Sequence, residues 1–391
     1  MVRQPVLLVF VLLALEAAVI SVSEHRRFKH LFKVLPAVFW IYFLPMVLST
    51  AGIIPSSSPV YQTISVYLLP ISLVLLFVGV NLPDILKLGR HALTMMLAGS
   101  FGIILGAPIV LFFFRHQLPP DAWLAFGALS GSWVGGSANM LAVKEALGTP
   151  DAIFVPMIAV DIAVSYSWMG ILIALAAYQS VYDRWNRSDR KVIEELNRKT
   201  TESQDDFFHG YRVLPILGML ALAAATTLSA IYLTSFLPET KGVTKITWTI
   251  LTVSMAGALF SFTGLRKLQS YGASKIGYLV LYFVLTSMGA KANLRDLASA
   301  PLFVLIGFIL VVVHFLFMLI VSKLTKAPLS LVATASQANI GGPVSAPIVG
   351  AIYEPSLAPV GLLLGIFGNL IGTYTALFCA KLCYLAVHYS P

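Results

Sequence analysis

Runs of apolar residues of membrane-spanning length alternate with short polar breaks along the whole chain. They fall at about 5–22, 34–53, 61–80, 91–114, 122–148, 152–178, 212–235, 246–262, 274–290, 300–322, 328–353 and 356–380. As a helix, about twenty apolar residues cover the roughly 30 Å of a bilayer's hydrocarbon. The pattern therefore predicts an all-α polytopic membrane protein. Two segments, 122–148 and 328–353, are interrupted near their middles by glycine and polar residues. The one long polar stretch, 180–210, separates six segments from six and reads as a linker. Its portion from Lys191 to Arg198 suits a short solvated helix.

Composition agrees with this reading. Of 391 residues, 58% are hydrophobic and 11% are charged, so no stretch suggests a sizeable soluble domain. The net charge of +9 is not a nucleic-acid signal, because the basic residues lie in loops between apolar runs, where they set topology. Cys379 and Cys383 are four apart on one predicted helix and read as small apolar fillers. The apolar run after Met1-Val2-Arg3 is followed by Glu24-His25-Arg26-Arg27, without a small-residue cleavage site. That argues for a retained first helix with its N-terminus outside.

The chain also repeats itself. Asn81-Leu82-Pro83-Asp84-Ile85 matches Asn293-Leu294-Arg295-Asp296-Leu297, and Gly135-Gly136 matches Gly341-Gly342. Asp161-Ile162-Ala163-Val164-Ser165-Tyr166-Ser167 matches Asn369-Leu370-Ile371-Gly372-Thr373-Tyr374-Thr375. Three collinear matches predict a duplication, with a first repeat over 1–179, the linker, and a second repeat over 211–391. If every segment crosses, basic loops fall on both sides. If instead 122–148 and 328–353 dip in and return, Arg26, Arg27, Lys29, Lys33, Lys87, Arg90, the linker, Arg212, Arg266, Lys267, Lys275, Lys323 and Lys326 gather inside. Outside remain Arg3, Arg115, Lys241, Lys245, Lys291 and Arg295. That asymmetry favours two re-entrant hairpins and, with five crossings per half, an inverted second repeat. A crossing helix broken at its middle is the competing geometry.

The candidate chemistry sits at the hairpin tips. Paired glycines allow positive φ and close approach of a ligand to the main chain. In the arm after each tip, Ser137 suits a cap and Pro343 a first helical turn. Free N–H groups and the positive end of the dipole would then point at the bilayer centre, as a carboxylate requires. Ser130, Ser132, Gly135, Gly136, Ser137 and Asn139 form the first candidate solute-binding set. Ser336, Gln337, Asn339, Gly341, Gly342 and Ser345 form the second. Close helix packing alone would account for the glycines but not for the polar side chains around them.

Asp161 lies within an apolar segment, where a carboxylate costs roughly 2.5–3.5 kcal/mol on insertion scales and so needs a cation, a proton or a donor. With Ser165, Asn369, Thr373, Thr375 and backbone carbonyls it would form an oxygen-only site for Na⁺, or would serve H⁺ alone. No transition metal and no other cofactor is expected. Glu16 has no matching acid, His314 suits an interhelical hydrogen bond better than a proton relay, and Trp133 either stacks on a solute or fills space. Lys144 and Glu145 are placed near the outer mouth of the first hairpin. The run 131–135 lacks the esterase G-x-S-x-G register, and an enzyme is not expected.

Gly-Ser-Trp-Val-Gly-Gly-Ser-Ala-Asn-Met at 131–140 and Ser-Gln-Ala-Asn-Ile-Gly-Gly-Pro-Val-Ser-Ala-Pro at 336–347 resemble the signatures of a YjcL-like family of polytopic membrane proteins. The resemblance spans nearly the full chain. It implies the cation:proton antiporter and anion transporter superfamily, with a core domain moving elevator-like against a scaffold in a homodimer of the bacterial inner membrane. It also implies peptidoglycan-derived peptides or amino acids as solutes. The expectation is thus an Na⁺- or H⁺-coupled secondary transporter of a small, carboxylate-bearing organic solute. The alternatives are a monovalent cation/proton antiporter and a non-transporting receptor or assembly factor.

Overall fold

Each apolar run becomes helix close to its expected bounds, except that the last, expected at 356–380, continues to His388. The computed structural model describes residues 4–28, 31–32, 37–78, 88–188, 211–239, 244–295, 300–354 and 357–388. Among them there are helices and no strand. In the first half these are α1 (Pro5–Glu24), α2 (Ala37–Thr50), α3 (Pro59–Val78), α4 (Gly89–Phe114), α5 (Ala122–Gly135), α6 (Ser137–Leu147), α7 (Asp151–Leu175) and α8 (Gln179–Asn186). The second half holds α9 (Val213–Thr234), α10 (Lys245–Phe260), α11 (Ala273–Lys291), α12 (Ala300–Thr325), α13 (Leu329–Ile340), α14 (Gly342–Tyr353) and α15 (Leu357–His388).

Eight helices among the described residues are long and apolar enough to cross a membrane. The protein is an integral membrane protein. A 3₁₀ helix, Gly264–Tyr271, follows α10 at a bend of 95°. The arms α5, α6, α13 and α14 have 14, 11, 12 and 12 residues, too short to span at 1.5 Å per residue. The repeat match over 81–85 lies outside the described residues, as do Asp296 and Leu297 of its partner and most of the 180–210 linker. Within that linker the described portion ends the helix α8, so the polar stretch begins as ordered helix.

Local physics explains several of these boundaries. Thr244 opens α10 with a reciprocal capping pair, its hydroxyl accepting from Thr247 N–H while the Thr247 hydroxyl accepts from Thr244 N–H. In α3 the turn Ile64–Leu68 is a π-helix just ahead of Pro70, whose ring supplies no N–H and crowds the preceding turn.

The chain forms two compact units that do not follow its two halves. The first is Met1–Val80, Glu145–Ile162 and Phe208–Pro301. It packs α11 on α2 and α3, and α10 on α3, with α9 on α3 and α10 and α1 on α2 and α11. The second is Asn81–Lys144, Ala163–Phe207 and Leu302–Pro391. Here α15 is central, touching α4, α5, α13 and α14. An apolar cluster including Met95, Met96, Leu331, Ala335, Val360 and Leu364 fills the space between α4, α13 and α15. Both glycine tips and the whole second hairpin fall in this second unit; the end of α6, from Glu145, belongs to the first, and α7 is divided after Ile162.

Candidate functional site

The two interruptions are helical hairpins of one design. In each tip the second glycine takes positive φ, 79° at Gly136 and 69° at Gly342, a conformation that strains any residue with a Cβ. The first glycine is the site of close approach. A Cβ on Gly135 would collide with the Asn139 amide and lie 2.7 Å from the Gly368 carbonyl; one on Gly341 would collide with the Gln337 amide and the Ser345 hydroxyl. The arms fold back on each other. Gly131 of α5 lies against the Asn139 carbonyl, 2.9 Å from where its Cβ would be, and Gln337 Nε2 of α13 donates to Ser345 Oγ of α14 at 2.8 Å. Ser137 is the first residue of α6, so the capping position falls on Gly136, whose carbonyl accepts from Asn139 and Met140 N–H. Pro343 stands in the first turn of α14, where its missing N–H costs nothing.

Each hairpin is fastened to a helix from the other half of the chain. In the first, Asn139 Nδ2 donates to Gly135 O at 2.5 Å and to Asn369 O of α15 at 3.0 Å. Thr373 Oγ1 of α15 donates back to Asn139 Oδ1 at 2.5 Å. Gly372 lies against the Gly135 Cα. In the second, Ser165 Oγ of α7 donates to Ile340 O, next to the tip, at 2.8 Å. Trp168 Nε1, one turn further along α7, donates to Ser336 Oγ at 3.0 Å. Ser165 and Thr373 are partners in the sequence repeat, and so are Ser130 and Ser336. Ser130 Oγ donates to Phe126 O within α5 and meets Cys379 Sγ of α15 at 3.2 Å.

A buried polar network continues from the second hairpin into α4 and α12. Asn339 accepts from Ser100 Oγ at 2.9 Å and donates to Met96 O and Ala335 O, each at 3.1 Å. His314 bridges Gly99 O at 2.8 Å and Ser336 Oγ at 3.0 Å, and is fully buried. The interhelical hydrogen bond expected of His314 is therefore present. Amides and an imidazole buried in this way are expensive unless bonded, and here they are bonded. The exception is Gln337, fully buried, whose Oε1 has no hydrogen-bond partner. It lies at the tip, beside the start of α14.

The predicted site residues sort themselves on these contacts. Asn139, Asn339, Ser130 and Ser336 are buried and engaged within the unit. Ser132 is buried, and its carbonyl accepts from Gly136 N–H across the turn. Gly136, Ser137, Gly341 and Ser345 keep part of their surface open, and Gly342 is buried. Of the proposed ion ligands, Ser165 attaches to the second tip, while Asn369 and Thr373 attach to the first. Thr375 turns its hydroxyl onto Ile371 O and Gly372 O of its own helix. Asp161 is half-buried on α7, one helical turn before Ser165. Trp133 is fully buried in α5. Lys144 is buried on α6, Glu145 pairs with Lys291 at 3.8 Å in the first unit, and Glu16 is buried on α1.

Sequence reasoning missed Ser100, Met96 and Trp168, which hold the second hairpin. It also missed Gly368 and Gly372, whose four-residue spacing is a recognised signal of close helix approach in membranes. A family described as a protein of unknown function, DUF819, matches residues 11–384. The chain belongs to that family. It is similar to an uncharacterized membrane protein, YjcL, of Bacillus subtilis (strain 168), with 25% identity over 375 residues, 92% of this chain and 93% of that one.

Proposed function

We propose that this DUF819 protein is an ion-coupled secondary transporter of a small organic solute carrying a carboxylate. The observation that carries the reading is the pair of matched hairpin tips within one unit. Each has a positive-φ glycine, each starts a second arm at its tip, and each is held by a repeat-related hydroxyl from the opposite half. Discontinuous helices whose N-termini meet inside apolar surroundings are how secondary transporters receive anionic groups. The unpartnered Gln337 Oε1 supplies an acceptor beside the donors of the α14 start, so the second tip offers both halves of a polar recognition site.

On this reading the solute meets Gly136 and Ser137 at one tip and Gln337, Gly341, Gly342 and Ser345 at the other. Asn139 and Asn339 act as clamps that keep each tip in shape. Asp161 takes the coupling ion, Na⁺ or H⁺, with the Ser165 hydroxyl one turn away on the same helix. The halves form inverted repeats of the cation:proton antiporter and anion transporter kind. The hairpin-bearing unit moves elevator-like, within a homodimer, in a bacterial inner membrane with the 180–210 linker inside.

The test is uptake into proteoliposomes of radiolabelled amino acids, short peptides and monocarboxylates under an imposed Na⁺ or H⁺ gradient. Gradient-driven accumulation that is lost in Asp161→Asn and in Gln337→Leu is the expected result. Flux indifferent to both gradients, or full activity of Asp161→Asn, would remove the ion role. Dye-reported proton movement on adding Na⁺ or K⁺ with no solute would replace the reading with a cation/proton antiporter.

A further inference from the structure

The first unit contains a cavity of about 220 Å³ between α3, α9 and α10, well away in sequence from either glycine pair. It is smaller than the roughly 300–1,000 Å³ of a typical small-molecule site. Its wall is apolar, with Leu69, Ile231 and Ile250 among the lining residues. Two features distinguish it from a packing defect. First, the π-turn of α3 opens onto it, and π-turns in α-helices recur at functional sites. Second, Ser65 in that turn lines the cavity, is 5% exposed, and its buried hydroxyl has no hydrogen-bond partner. The other hydroxyls of the wall are satisfied: Thr234 and Thr249 meet at 3.0 Å, and each also bonds its own helix.

The rim carries a cation. Lys245 Nζ donates to Ser235 O at 2.7 Å and to Leu237 O at 2.5 Å, which fixes the ammonium group at the cavity edge. An ammonium has three protons, so a third donor remains for an anion. Lys245 starts α10 and holds the residues that leave α9, so it sits where two apolar helices end, the level at which headgroups meet a membrane protein.

We propose that this cavity binds one anionic phospholipid, with part of an acyl chain inside, an ester oxygen on the Ser65 hydroxyl and the phosphate on Lys245. The apolar wall suits the chain, the buried unpaired hydroxyl suits the only polar groups close to it, and the rim charge selects an anionic head.

The experiment is native mass spectrometry of the whole protein released from nanodiscs of mixed phosphatidylglycerol and phosphatidylcholine, paired with thermal unfolding in detergent. Wild type retains phosphatidylglycerol in preference, by about fivefold, the discrimination one lysine gives near anionic headgroups. Lys245→Gln removes the preference. Ser65→Phe fills the cavity and removes retention of both lipids; Ile231→Phe does the same from the opposite wall, should the first variant fold poorly. Added phosphatidylglycerol raises the unfolding temperature of wild type and not of the filled variants. Equal retention by wild type, Lys245→Gln and a filled variant would overturn the proposal. So would equal stabilisation by glycerol phosphate, which marks a free-anion site without a chain.

Discussion

The two units bury polar groups in different ways. In the first, buried polar side chains are almost all hydroxyls, and those with partners mainly turn back onto their own helix. Ser72 donates to Leu69 O, Thr286 to Tyr282 O and Ser287 to Val284 O. In the second, the buried set includes Asn139, Asn339, Gln337 and His314, and their partners lie on other helices, in several cases more than 200 residues away in the chain. A hydroxyl bonded within its helix satisfies itself and ties nothing together. An amide bonded across helices specifies which helix meets which, and at what depth. One unit is therefore held mainly by apolar packing, and the other by packing plus a polar framework around two broken helices.

The largest expected effect lies where backbone meets backbone. Gly135→Leu would force apart the first tip and α15, where Gly368 and Gly372 already touch it. Overpacking of this kind costs about 1–3 kcal/mol or more, and detergent unfolding should register it together with complete loss of uptake. Gly218→Ala in α9, with open space around it, should leave both unchanged. The contrast would be broken by Gly289 of the first unit, however, which presses on the Tyr42 carbonyl. Gly289→Leu should be as damaging to stability as Gly135→Leu, so close approach alone does not distinguish the units.

Polar framework against local hydroxyl is the sharper comparison. Asn339→Ala removes the cross-helix bonds to Ser100 and Met96, leaving Ser100 only its bond to Met96 O, and opens a gap beside Met96; it should cost about 1–3 kcal/mol. Thr286→Val in the first unit removes only a bond to its own helix and should cost less than about 1 kcal/mol. Equal losses in thermal unfolding would mean that the cross-helix bonds add nothing beyond their local counterparts.

A smaller effect is expected at the base of the second hairpin. There Asp183 of α8 accepts from Leu329 N–H at 3.0 Å, at the first turn of α13, where the Pro328 side chain cannot cap. Asn186 of the same short helix donates to Ala327 O at 2.8 Å. Asp183→Ala should cost about 0.5–2 kcal/mol, as loss of a helix cap does, and hydrogen exchange should quicken at the start of α13 before it does at α5.

The smallest effects concern the repeat partners Ser165 and Thr373. Ser165→Ala and Thr373→Val each remove one interhelical bond, worth about 0.6 kcal/mol in membranes. Both should reduce uptake to a similar degree while barely moving the unfolding temperature. A strong loss from one and none from the other would end the functional equivalence of the two tips.

Much of this architecture is legible in the chain. Apolar runs of about twenty residues must be helices in a bilayer, because only internal hydrogen bonding satisfies the backbone there, and the helices follow those runs, the last continuing eight residues past its expected end to His388. The tips were legible because a glycine pair inside such a run has few other uses. The division of labour within each pair was not. Which glycine carries the positive φ and which one the close contact depends on the direction of the incoming helix.

The candidate site was less legible than the fold. Asn139 and Asn339 looked like ligand groups because a polar side chain in apolar sequence must find a partner. That partner is another helix, reached only when α15 and α4 dock. Gln337, one of several polar residues in the same segment, has an amide oxygen left without a donor beside the tip. No count of residue types separates it from its neighbours.

By itself, then, the sequence determined the helices, their breaks and the matching of Ser165 with Thr373, because these follow from local hydrophobicity, glycine content and similar runs of residues in the two halves. Only the tertiary structure decided that both hairpins share one unit, that each is fastened by the opposite half, and that a lysine rim and an unpaired serine border a cavity in the other unit. Those outcomes rest on contacts between residues far apart in the chain, whose cost or gain exists only once the helices meet.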